Sequence, residues 1–137
     1  MRKVFRPTTA RIVSYVSSAV LVVLFIAITL AFPPEIRARF TIDQVGVLVV
    51  LLLLSVSLLH GIARSKVVAD EAGLEVVNLY RKHKFTWAEV ERISYEDGAP
   101  WPHAYLKNDE RLMMIAIQSA DGKSAQTAVN ELRAHLG

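Results

Sequence analysis

Two patterns divide the chain. Before residue 64 the apolar positions run together; after it they alternate with polar ones over short segments. Residues 12–32 carry no charged side chain. As a helix they span roughly 30 Å, the thickness of a bilayer core. Pro33-Pro34 then ends the helix, because proline has no N–H to continue the ladder. Residues 44–63 form a second uncharged run, with four consecutive leucines from Leu51 to Leu54 and His60 as the one titratable group. The pattern predicts two transmembrane helices, over about 12–32 and 44–63, joined by a short external loop and preceded by a basic N-terminus at 1–11. The first run is longer than the apolar stretch of about 7–15 residues in a cleaved leader, so a retained helix is expected. Ser14, Ser17 and Ser18 lie in its first half. They either pack the span against the second one or another copy, or bond their own helix backbone.

The second half reads as short strands followed by one helix. Strands are expected at 66–69, 74–79, 85–87, 92–95, 103–106 and 112–117, separated by turn residues at 70–73, 97–100 and 108–111. Ala125, Ala128, Val129, Leu132 and Leu136 then fall on one face of an amphipathic helix over about 123–136. The expected unit, residues 64–137, is a small sheet closed by that helix. Val129 and Leu132 are core candidates. Phe85 and Trp87, two residues apart in a strand, point to one face and are also placed in the core.

Charge refines the picture. Among 137 residues the net charge is +3, but it is uneven. Residues 1–63 hold six Lys/Arg against two Asp/Glu, leaving +4; the remainder holds ten against eleven, leaving −1. The surplus flanks the apolar runs, so nucleic acid is not an expected partner. Four cations precede the first span and two sit in the loop. Arg64, Lys66, Arg81, Lys82 and Lys84 follow the second. The positive-inside rule therefore predicts a multi-pass protein of the plasma (inner) membrane with both termini cytoplasmic.

Little catalytic chemistry is legible. There is no cysteine, which removes disulfides, thiolate metal sites and a Cys nucleophile. His60, His83, His103 and His135 show no metal-ligand spacing. Glu89, Glu91, Glu96 and Asp97 read as a solvated acidic face. Asp121-Gly122-Lys123-Ser124 imitates the tail of a phosphate loop, but the upstream glycine is missing. Neither an enzyme nor a cofactor is expected.

Several segments carry a resemblance. Residues Trp87-Ala88-Glu89-Val90-Glu91-Arg92-Ile93, Pro100-Trp101, Ala116-Ile117-Gln118-Ser119-Ala120-Asp121-Gly122 and Ala128-Val129-Asn130-Glu131-Leu132-Arg133 resemble the small bacterial PH-like domains that follow two transmembrane helices. The resemblance covers roughly 64–136. It implies a membrane-anchored α+β protein: a two-helix transmembrane hairpin, then a small PH-like antiparallel sandwich or barrel capped by a C-terminal helix. PH domains usually have seven strands, against the six read here. The resemblance carries over no catalytic residue.

The linker between the second span and the first strand is about three residues, reaching at most roughly 10 Å, so the domain must sit against the bilayer. Strand 66–69 leads away from it and the next strand returns. The cations at 81–84 are therefore expected in a turn at the membrane-proximal end. Two roles are expected for such a module. One is protein–protein contact with another membrane protein or a second copy, with Trp101 either plugging the open end of the sheet or serving as a contact anchor. The other is sensing of anionic membrane lipids by Lys66, Arg81, Lys82 and Lys84.

Overall fold

The computed structural model describes residues 2–136. Its elements run β1 (Lys3–Phe5), α1 (Thr8–Ala31), α2 (Pro34–Arg37), α3 (Ile42–Arg64), β2 (Lys66–Ala69), β3 (Gly73–Asn78), β4 (Arg81–Thr86), β5 (Val90–Ser94), β6 (His103–Leu106), β7 (Arg111–Met113) and α4 (Lys123–Ala134).

α1 and α3 lie side by side and are each about 35 Å long. Both are long and apolar enough to cross a membrane. Their large side chains point outward along the whole length: Leu24, Leu30, Leu53 and Leu54 are each at least half exposed. Water would penalise such a surface, whereas lipid matches it. α1 ends where Phe32 turns extended ahead of Pro33, as a residue before proline must. α3 starts on a capping box: Thr41 Oγ1 accepts the Gln44 N–H, and Gln44 Oε1 accepts the Thr41 N–H. Together these satisfy two backbone donors at the helix start. The Ser18 hydroxyl bonds Ser14 O, and Ser14 itself is buried.

The remaining strands make two antiparallel sheets, ordered β1-β2-β3-β4 and β5-β6-β7. Val67, Leu74 and Val76 from the first meet Val90, Ile93 and Leu106 from the second, and α4 adds Ala125, Ala128, Val129 and Leu132. Arg133 Nε donates to Ile93 O and ties α4 to β5. Asn78 stitches the sheets together at the end of β3. Its Nδ2 donates to Met113 O, and its Oδ1 accepts the Ile115 N–H.

The seventh strand comes from the basic terminus, which sequence patterning treats as separate from the domain. Lys3, Val4 and Phe5 pair antiparallel with Ala69, Val68 and Val67. Phe5 packs on the core and Pro7 is fully buried. Lys3 Nζ lies 2.6 Å from Glu131 Oε1 on α4. The two long helices are therefore an excursion between neighbouring strands of one sheet. Whatever α1 and α3 cross, the ends that join β1 and β2 must lie on the same side.

Three further expectations shift. β4 begins at Arg81, so the cations occupy a strand and not a turn; the turn is Leu79-Tyr80 alone. Trp87 opens a short 3-10 turn after β4 instead of extending it. β7 stops at Met113, and Met114, Ala116 and Ile117 are buried as irregular chain.

Candidate functional site

The junction between α3 and the sheets is built from small and hydroxylated residues. Ser65 is buried; its hydroxyl donates to Gly61 O (3.0 Å) and accepts the Leu79 N–H (2.9 Å). Leu79 takes a left-handed conformation (φ 57°), which lets the β3–β4 turn close in two residues. Its carbonyl accepts from the Arg64 guanidinium, which also lies 5.3 Å from the centre of the Tyr80 ring. The Tyr80 hydroxyl donates to Ser57 O (2.6 Å), a full turn and more back along α3. Gly61 leaves the room: a Cβ there would lie 3.0 Å from Tyr80 Cε2 and 3.1 Å from Leu79 Cγ. The turn is thus bolted to the last two turns of α3. With β1 and α1 on the other side, the domain is held at both helix ends.

Each expected cation has a definite place. Register puts Lys66, Val77 and Lys82 in one row, and Val68, Glu75 and Lys84 in the next. Lys66, Lys82 and Lys84 therefore share the outer face. Glu75 lies between the two β4 lysines, 3.5 Å from Lys82 Nζ and 3.9 Å from Lys84 Nζ. Arg81 pairs with Asn78 and belongs to the opposite face, with His83 stacked on Phe85. The strand starts beside the end of α3 and runs away from it, so Arg81 and Lys82, with Lys66 next to Ser65, are close to the junction and Lys84 is farther off.

Trp87 is half-buried against the core. Its Nε1–H donates to Asp70 O (2.7 Å) and its ring stacks on His135 at 4.7 Å. Phe85 is likewise half-buried on the core, while Val129 and Leu132 are fully buried. Trp101 is half-buried and lies outside the core cluster. Its loop is fixed by its neighbours: Pro100 O accepts the Ser119 N–H and Pro102 O accepts the Met114 N–H. Among the described residues no three His, Asp or Glu side chains are arranged to hold a metal.

Ser57, Gly61, Ser65, Asn78 and Tyr80 are not singled out by the sequence pattern. The hydroxyl and glycine positions have no signal of their own without the fold.

His103, at the start of β6, is depressed below its ordinary value of 6.5, first by burial, then by the nearby Arg111, with Glu96 opposing. A folded value below the unfolded one means that protonation favours unfolding. The contribution of neutral His103 is complete above about pH 6.5 and is lost as pH falls below it. His103→Gln should therefore flatten the decline in unfolding temperature between about pH 7.5 and pH 5.5. An unaltered pH profile in the variant would remove His103 from this role.

Two sheets of four and three strands, a C-terminal helix across them and a pair of apolar helices define a PH-like domain joined to a possible membrane anchor. The bacterial PH domain family model matches residues 64–135, more than half of the chain, and the chain belongs to that family. β1 lies outside the matched segment. The chain is also similar to the uncharacterized proteins Rv1417 and MT1460 of Mycobacterium tuberculosis and Mb1452 of Mycobacterium bovis. Each is 33% identical over 96 residues, covering 70% of this chain and 62% of the relative. The match thus spans less than two thirds of those relatives' length. No solved structure matches the chain significantly. PH-like domains are generally interaction modules without catalytic activity.

Proposed function

We propose that the chain is an integral protein of the plasma (inner) membrane with both termini in the cytoplasm, and that its PH-like domain is a fixed docking platform for another membrane protein or a second copy. The role is one of assembly or accessory contact. The observation that supports this is the double attachment of the domain. A module that only needs recruiting can hang on a flexible linker. Here Ser57, Arg64 and Ser65 grip the Leu79-Tyr80 turn, and β1 grips the opposite edge of the same sheet. Such bracing holds one orientation relative to the bilayer, which a partner lying in the same membrane can read. The surfaces on offer are the outer edge of β4, the last strand of its sheet, and the Trp101 loop.

Crosslinking in native membranes followed by purification in mild detergent tests the proposal. A discrete partner or a defined oligomer is expected, and a Trp101→Ala variant should weaken it. A chain that is monomeric and partner-free after crosslinking contradicts it.

The alternative is an anionic-lipid sensor. It is supported by the shared face of Lys66, Lys82 and Lys84, but Glu75 offsets part of that charge and Arg81 faces away. It requires that exchanging those three lysines for glutamine strip anionic lipid from the purified chain.

A further inference from the structure

A groove of about 620 Å³ separates the chain around β1 and the start of α1 from the first turns of α4. Phe5, Ile117 and Ala125 are among the apolar residues that line it, and Arg6, Thr8, Arg11 and Ser124 among the polar ones. Arg6 is exposed and Arg11 half-buried, and neither has an ion-pair partner among the described residues. Among the described residues the groove has one carboxylate, Asp121, and its Oδ1 is already engaged by the Thr9 N–H at the start of α1. The local balance is therefore positive, and among the described residues neither guanidinium has a hydrogen-bonded acceptor. The amino end of α4 also opens here without a side-chain cap from Gly122, while that of α1 is met by Asp121. The α4 dipole adds to the same sign.

Depth selects the occupant. Arg11 immediately precedes Ile12, where the uncharged run begins. Thr8 lies four residues earlier, about 6 Å along the helix axis. The headgroup layer outside the hydrocarbon is about 5–7 Å thick on each side. Once α1 and α3 cross the bilayer, as read above, the groove faces that layer.

We propose that this groove is a binding site for the phosphate of an anionic glycerophospholipid in the adjoining leaflet. Arg6 and Arg11 grip the phosphate oxygens, for which the planar guanidinium is suited. Thr8 and Ser124 supply hydroxyls to the rest of the headgroup. The site lies apart from the β4 lysines, and its binding would brace β1, the strand that closes the domain.

The test uses the full chain, because β1 and α1 are part of the site. It is reconstituted in bilayers of equal phosphatidylglycerol and phosphatidylcholine, extracted in mild detergent, and its retained lipids are counted by mass spectrometry. Phosphatidylglycerol should be enriched on the unmutated chain. Arg6→Gln or Arg11→Gln should each lower that enrichment about fivefold, and the pair about twentyfold. Lys82→Gln with Lys84→Gln should leave it in place. Equal retention of the two lipids by the unmutated chain overturns the proposal without reference to any variant. Enrichment that survives the arginine pair, or that is lost with the lysines instead, also overturns it. A chain that retains no lipid of either kind overturns the membrane reading as well, so the two failures are distinct.

Discussion

Deleting residues 2–6 should destabilise the PH-like domain by about 3 kcal/mol, from the burial of Phe5 and the backbone bonds of β1 taken together. A domain of this size is stable by only about 4–11 kcal/mol, so the loss is a large share of the total. The physical reason is the edge it exposes. β2 is the second strand of its sheet, and Val67 and Ala69 are fully buried there. Without β1, their backbone groups on one side lose their partners, and a short apolar strand becomes an open edge. The same holds for a fragment starting at residue 64, which should be less stable and more prone to associate than the domain within the whole chain. Denaturant unfolding followed by tryptophan fluorescence reads the difference, since Trp87 packs on the core. An unchanged midpoint after deletion would mean that β1 contributes nothing.

Gly73→Ala should be more damaging still. A Cβ at Gly73 would stand 2.0 Å from Phe85 O and 3.1 Å from Thr86 Cα, both backbone atoms of the partner strand. No rotamer change relieves a clash with backbone. β3 and β4 would have to separate by about an ångström at their paired ends, and the cost should exceed the roughly 1–3 kcal/mol typical of overpacking. The disturbance also reaches Asp70, whose Oδ1 accepts the N–H groups of Ala72 and Gly73 and whose carbonyl accepts from Trp87. The variant should lose the native tryptophan emission in the same buffer where the unmutated chain is folded. Native emission and an unshifted midpoint would show that the strands can part at little cost.

Gly73 illustrates what patterning can and cannot read. In sequence it closes Asp70-Glu71-Ala72-Gly73 and looks like an ordinary turn residue. Its real constraint is the approach of Phe85 and Thr86 on β4, twelve and thirteen positions away, which leaves no local mark. The strands at 66–69 and 103–106 were legible to the residue, because β-branched and aromatic residues stand between clear breakers. The apolar runs of α1 and α3 were legible by length. β4 was only half legible: Arg81, Lys82 and Lys84 suit an edge strand, where lysine guards against association, yet three cations and a histidine also describe a solvated turn. β1 was not legible at all. Lys3-Val4-Phe5 is three residues of mixed character, and its partner β2 lies beyond both long helices. The groove at Arg6 and Arg11 was hidden for the same reason. Its walls belong to opposite ends of the chain.

The pairing of β1 with β2 makes the two long helices an excursion from one sheet, and every role given to β1 depends on it. The chain has no cysteine, so an engineered pair can be read without interference. Val4 and Val68 are direct partners. Cα atoms of such partners are about 4.5–5.5 Å apart, within reach of a disulfide. Val4 and Glu75 are separated by one more strand, about 10 Å in all, and serve as the control. Mild oxidation of the full chain in membranes, followed by maleimide labelling of remaining thiols, measures the pairing. If β1 pairs with β2 as described, Val4→Cys with Val68→Cys should link almost completely within the chain, and Val4→Cys with Glu75→Cys should keep free thiols. Free thiols in the first pair, or equal linkage in both, would contradict it.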